Sequence, residues 1–147
     1  MRRQRGFSML EVLITMLVIS FGLLGIAGLI ITNFKNSHSA YSRGQATIFA
    51  NDIIDRMRAN RTVAQAGAPY VIDVDATTPT ADATVGERDI RQWRLALASA
   101  VKDGKGGIAF NAAGNVIVTI QWDDSRSSGD NSTFGLAKQR FVLETRL

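Results

Sequence analysis

Residues 12–31 read VLITMLVISFGLLGIAGLII, with no charge and only Thr15 and Ser20 as polar side chains. Coiled as an α-helix at ~1.5 Å per residue, the run is about 30 Å long, the hydrocarbon thickness of a bilayer. A soluble helix apolar on every side needs far more protein around it than a chain of 147 residues supplies. The run therefore predicts a membrane-spanning helix. Arg2, Arg3 and Arg5 precede it and no arginine follows until Arg43, which puts the N-terminus in the cytoplasm and the rest of the chain on the far side.

Past the apolar run the pattern becomes amphipathic. Ala46, Phe49, Ile53 and Met57 recur at helical spacing, and Ala50 and Ile54 widen the stripe. Asn51, Asp52, Asp55, Arg56 and Arg58 take the other side, with Asp52 and Arg56 as an exposed i, i+4 pair worth about 0.3 to 0.5 kcal/mol. The helix is expected to continue and to pack on a globular head. Residues 62–86 hold both prolines and read as an irregular connection, with one short strand near 70–74. A second helix is predicted over 87–101, with Ile90, Trp93, Leu97 and Val101 on one face and KDGKGG ending it.

Two later stretches change period. In VIVTIQW (116–122) Val116, Val118, Ile120 and Trp122 alternate to one side, and QRFVLETRL (139–147) does the same with Phe141, Leu143 and Leu147. Both predict sheet strands. The polar DDSRSSGDNST between them reads as the loop of a long hairpin.

The formal charge is +4 and the pI about 10.0, values that raise nucleic acid or an acidic surface as partner. Their placement removes that implication. Taking Arg2, Arg3 and Arg5 from the 17 basic residues leaves 14 against 13 acidic ones, so the body of the chain is nearly neutral and no nucleic acid is expected.

A secretory signal peptide has a short apolar stretch followed by small residues at a cleavage site. Here the stretch is too long, and TNFKNSHSAYSRGQ after it has no A-x-A pattern. The small residue, Gly6, lies before the run, between the arginines and Phe7. RGFSMLEV resembles the leader of type IV prepilins and pseudopilins. The resemblance implies that prepilin peptidase cuts between Gly6 and Phe7, that Phe7 carries the N-methyl group, and that Glu11 serves subunit assembly. With the elements above, it implies an α+β type IV pilin fold: a long N-terminal helix, its first half transmembrane, packed on a small antiparallel β-sheet head. The expected division is a leader (1–6), a transmembrane and assembly helix (7–33), its amphipathic continuation (34–61) and a periplasmic head (62–147).

Glu11 has a physical problem that this reading answers. A carboxylate in an apolar helix costs about 2.5 to 3.5 kcal/mol at the centre, less near the end, and such residues usually have a partner. No basic residue between Phe7 and Phe34 can serve. Cutting after Gly6 creates one, the α-amine of Phe7, in the same chain or in a neighbour displaced along a fibre. The alternative is that Glu11 snorkels to the headgroups.

Ser8, Glu11, Thr15 and Gly22 are spaced three, four and seven apart and share a helical stripe, with Asn33 further along it. Gly22, Gly25 and Gly28 recur every three residues. Together these positions form a face on which helices can approach closely. Many major pilins have proline where this chain has Gly28, a departure that implies softening through glycine in place of a kink.

Catalytic signals are poor. The single histidine, His38, lies among serines, and there is no cysteine, so no cofactor and no histidine or cysteine metal site is expected. DGKGG lacks the spacing of a phosphate loop. Asp123, Asp124 and Asp130 miss the alternation of a calcium loop and read as a solvated turn. Lack of cysteine also removes the disulfide that clamps the C-terminal loop of many pilins.

Three functions stand at this point, none of them enzymatic. One is a minor pilin that helps to initiate, assemble or modify type IV pili, partnered by prepilin peptidase, other minor pilins, the major pilin and inner-membrane assembly proteins. Such a subunit resides in the bacterial inner membrane and then in the fibre, its tip included. The second is a minor pseudopilin of a type II secretion system. The third is a stand-alone membrane-anchored protein that binds a ligand or DNA. ANDIIDRMRANR (50–61) resembles the corresponding segment of the PilV family of type IV pilus modification proteins, and this favours the first.

Overall fold

A computed structural model describes residues 6–67, 69–125 and 138–147. Helix α1 (Met9–Ala59) is continuous through the apolar run and the amphipathic stretch. Ser8 caps its start, its hydroxyl accepting from the Leu10 N–H at 3.3 Å. The glycines do not interrupt it, so softening at Gly28 takes no visible form in the helix.

Burial divides α1 into two halves. None of the most apolar window is buried, whereas Ser39, Ser42, Ala46, Ala50, Ile53, Ile54 and Met57 form a buried stripe at steps of three and four. Ala46 and Ala50 are small, which lets the helix backbone lie close to the head. α2 (Arg61–Gln65) follows after one residue, Asn60.

The 62–86 connection is tied down at particular points. Near 70–74 there is no regular strand; a single antiparallel bridge joins Ile72 to Ile108, with N–H···O distances of 3.0 and 2.8 Å. The Arg94 guanidinium, buried on α3 (Val85–Ala100), donates to the carbonyls of Val74 (3.1 Å) and Ala76 (2.6 Å). Side-chain anchorage thus replaces strand pairing. α3 begins two residues before the expected Glu87, because Thr84 and Glu87 form a reciprocal capping box. It ends at Ala100, and Val101 is an extended, buried cap.

β1 (Lys105–Phe110), β2 (Val116–Trp122) and β3 (Gln139–Thr145) form one antiparallel sheet in that order. Val118 pairs with Ile108 on one side and Leu143 on the other, and Ile120 opposes Phe141. The inward positions of β2 and β3 are those expected from alternation. β1 adds to the elements that periodicity predicts, since KDGKGG reads as a helix terminator. Its glycines have a packing cause. A Cβ on Gly106 would collide with the Trp93 ring, and one on Gly107 would lie 2.6 Å from Val74 Cγ2. Trp93, fully buried, also donates from Nε1 to the Phe49 carbonyl at 2.9 Å, so α3 is fixed to α1 and β1 by one side chain.

Most of the expected 123–133 loop lies outside the described residues, Asp130 included; Asp123, Asp124 and Ser125 are within them. They correct the solvated-turn reading. Asp124 is 0% exposed and accepts from Ser39 Oγ at 2.7 Å. Asp123 pairs with Lys102, and its N–H donates to the Lys102 carbonyl at 2.9 Å. The end of β2 is thereby bound to α1 and to the turn after α3.

Candidate functional site

The apolar half of α1 and the two residues before its cap form the candidate site. Gly6 and Phe7 precede the helix and are exposed, Phe7 to 86%. A Cβ built on Gly6 meets no atom within 4 Å. Packing within the chain therefore does not require glycine there.

Glu11 sits in the first turn of α1, where a carboxylate is favoured by the unpaired N–H groups and the helix dipole. Among the described residues no cation pairs with it. Three other polar side chains of this half are satisfied by their own helix. Thr15 Oγ1 donates to Val12 O (2.8 Å), Ser20 Oγ to Met16 O (2.8 Å) and Thr32 Oγ1 to Gly28 O (3.0 Å). Glu11 is thus left with an unmet demand inside an otherwise self-sufficient apolar cylinder.

The expected packing face is only partly gathered. Glu11, Thr15 and Gly22 fall on one stripe, with Ser8 at its lower end as the cap. At 3.6 residues per turn, Gly25 lies about 60° and Gly28 about 120° further round, so the glycines wind off that stripe. Space beside all three is open; a Cβ on any of them meets nothing within 4 Å.

At the other end of α1 the DRMRANR segment does structural work that its sequence only hinted at. Arg56 reaches beyond Asp52 (3.1 Å) to Asp89 (3.6 Å) and Gln92 (3.2 Å) on α3, so the pair is part of a larger, half-buried network. Asn60 donates to the Tyr70 hydroxyl at 3.3 Å, and that hydroxyl donates to Asp89 at 2.7 Å. Burial, then the neighbouring Asp89 carboxylate, raises the Tyr70 pKa above its ordinary value. Met57 is in the core. Sequence reading missed this cluster because Tyr70 and Asp89 come from separate segments. Ser39 and Ser42 lie in a polar stretch before the apolar stripe begins, so the sequence carried no signal for the Asp124 contact.

The prokaryotic N-terminal methylation motif matches residues 1–27, a stretch that holds Gly6, Phe7 and Glu11. This is a prepilin-like N-terminus on a type IV pilin fold. No curated protein and no solved structure matches the chain. The motif implies processing by prepilin peptidase and assembly with pilus components, and it points to a structural protein. α1 is the one helix among the described residues long and apolar enough to cross a membrane, which fits membrane anchoring of a pilin- or pseudopilin-like chain.

Proposed function

We propose that the chain is a minor pilin of a type IV pilus. In this reading the leader is residues 1–6, the membrane and assembly helix 7–33, its continuation 34–61 and the periplasmic head 62–147. Prepilin peptidase removes the leader after Gly6, Phe7 is N-methylated, and the new amine meets Glu11 of an adjacent subunit. The mature chain waits in the inner membrane with its head in the periplasm, then enters the fibre with other minor pilins and the major pilin.

The observation that carries the proposal is Glu11: a carboxylate with no cationic partner among the described residues, four positions after Phe7, in a helix half that the chain's own head leaves bare. Pairing with the Phe7 amine of a neighbour neutralises both charges only on assembly, so the bundle becomes the preferred state. The PilV assignment within this reading rests on segment 50–61. The structure gives that segment a physical role, since Arg56, Met57 and Asn60 join the end of α1 to α3 and Tyr70.

The test is the location of the chain in a piliated host. Immunodetection in sheared pili, with a mature N-terminus at methylated Phe7 by mass spectrometry, is the expected result. Exclusion from pili, together with a secretion defect on deletion, assigns the chain to a type II secretion system as a pseudopilin.

A further inference from the structure

At the end of the head farthest along α1 from the apolar half, a groove forms where α2, the turn between β1 and β2, and the end of β3 meet. Arg61 and Arg146 line it together with Gln65, Val71, Phe110 and Leu147. We propose that this groove is a binding site for an oxyanion, a carboxylate or phosphate group carried by a ligand. The proposal goes beyond the assembly role and does not depend on it.

Charge is the first argument. Among the described residues neither guanidinium has a carboxylate partner. The acids nearby in sequence make other contacts. Glu144, two residues before Arg146, accepts from Asn111 Nδ2 at 2.6 Å and Asn115 Nδ2 at 2.9 Å. Asp55 is paired with Arg58 at 3.0 Å. Each of the two guanidinium groups offers the planar fork of donors that fits a carboxylate or phosphate.

Shape is the second. Gly67 (φ +83°) and Gly114 (φ +79°) sit in turns at its rim in the left-handed region, and a Cβ on either meets no atom within 4 Å, so the mouth is open. Phe110 and the half-exposed Val71 provide an apolar wall, against which the body carrying the anion can rest while the Gln65 amide stands within the same lining. A concave, partly apolar surface with a few converging polar groups is the usual make-up of a small-ligand site.

The test uses the full chain in a non-ionic detergent, titrated with inorganic phosphate followed by 31P NMR and with D-glucuronate followed by saturation-transfer NMR. The two arms separate a phosphate from a carboxylate on a sugar ring. Saturable binding of at least one is expected. Arg61→Gln and Arg146→Gln should each weaken it about tenfold, the equivalent of one charge-assisted hydrogen bond. Arg88→Gln, an exposed arginine outside the groove, should leave it unchanged. Melting curves by circular dichroism are expected to show all three variants folded. Absence of saturable binding with both probes overturns the proposal, and so does equal weakening in the Arg88 variant, which would report only the overall charge.

Discussion

Ser39 on α1 donates a 2.7 Å hydrogen bond to Asp124 at the end of β2, and the two side chains are 4% and 0% exposed. This contact joins residues 85 positions apart at the point where α1 leaves the head. A buried hydrogen bond contributes about 0.5 to 1.5 kcal/mol, and up to about 3 where one partner is charged. Ser39→Ala should lower the stability of the head by that amount, read as a lower melting temperature of the full chain in detergent. Ser39→Thr keeps the hydroxyl and should retain most of it. An unchanged melt for the alanine variant would count against the contact.

Trp93 occupies the volume that a side chain at position 106 would need. Gly106→Val should therefore destabilise the head by about 1 to 3 kcal/mol through overpacking, or more if β1 is forced off the sheet. Combining it with Trp93→Leu should give less than the sum of the two single costs, because the smaller ring-free side chain yields the space. A double-mutant cycle by chemical denaturation measures this, and strict additivity would contradict the collision.

Lys102 donates to the Asp123 carboxylate, and this bond, with the Ser125 N–H at 2.8 Å, lowers its pKa to about 2. A carboxyl depressed in the folded state stabilises above its unfolded pKa, and that contribution is lost as pH falls through the folded value. The window is therefore from about pH 4 down to about pH 2. An NMR titration should place the Asp123 midpoint near the lower limit. In Lys102→Met it should rise toward the usual carboxylate range, and the Ser125 N–H should keep it from rising fully. A wild-type midpoint near 4 would show that the pair does not form.

Substitutions at the N-terminus separate processing from assembly. Gly6→Arg should leave the leader attached and the chain in the membrane, since the chain's own packing leaves that position free and the restriction comes from the peptidase. Mass spectrometry that finds a Phe7 N-terminus in this variant would refute the cleavage assignment.

Glu11→Ala should insert and be cut normally, because removal of the carboxylate makes the helix more apolar. Its amount in sheared pili relative to the membrane should nevertheless fall, as an amine left unpaired in an apolar bundle costs about 3 to 5 kcal/mol. Glu11→Gln should recover part of the loss through hydrogen bonding alone. Equal incorporation of wild type and alanine variant would leave helix packing as the sole driver.

Elements with local periodicity were legible in the sequence. The apolar run is an unbroken length of uncharged residues, while the 46–57 stripe, α3, β2 and β3 each write their burial in steps of 3.6 or 2, and the structure reproduces those faces. β1 was not legible, because Gly106 and Gly107 are explained by Trp93 and Val74, which only folding brings near. Asp124 was misread for the same reason: its partner lies on another element. At the candidate site Gly6, Phe7 and Glu11 all fall within the matched motif of residues 1–27, and a short motif needs no tertiary context. The Arg61 and Arg146 groove could not be read in the sequence, because α2 and the end of β3 meet only in three dimensions.

The bare half of α1 also constrains how the chain can travel. Moving hydrocarbon into water costs about 0.8 kcal/mol per methylene, so wetting residues 12–31 would amount to tens of kcal/mol, more than the stability of the whole head. A dissolved single copy is thus not a stopping place on any route. In the proposed assembly each copy therefore slides sideways from lipid tails into a sheath of neighbouring helices, one greasy medium to the next.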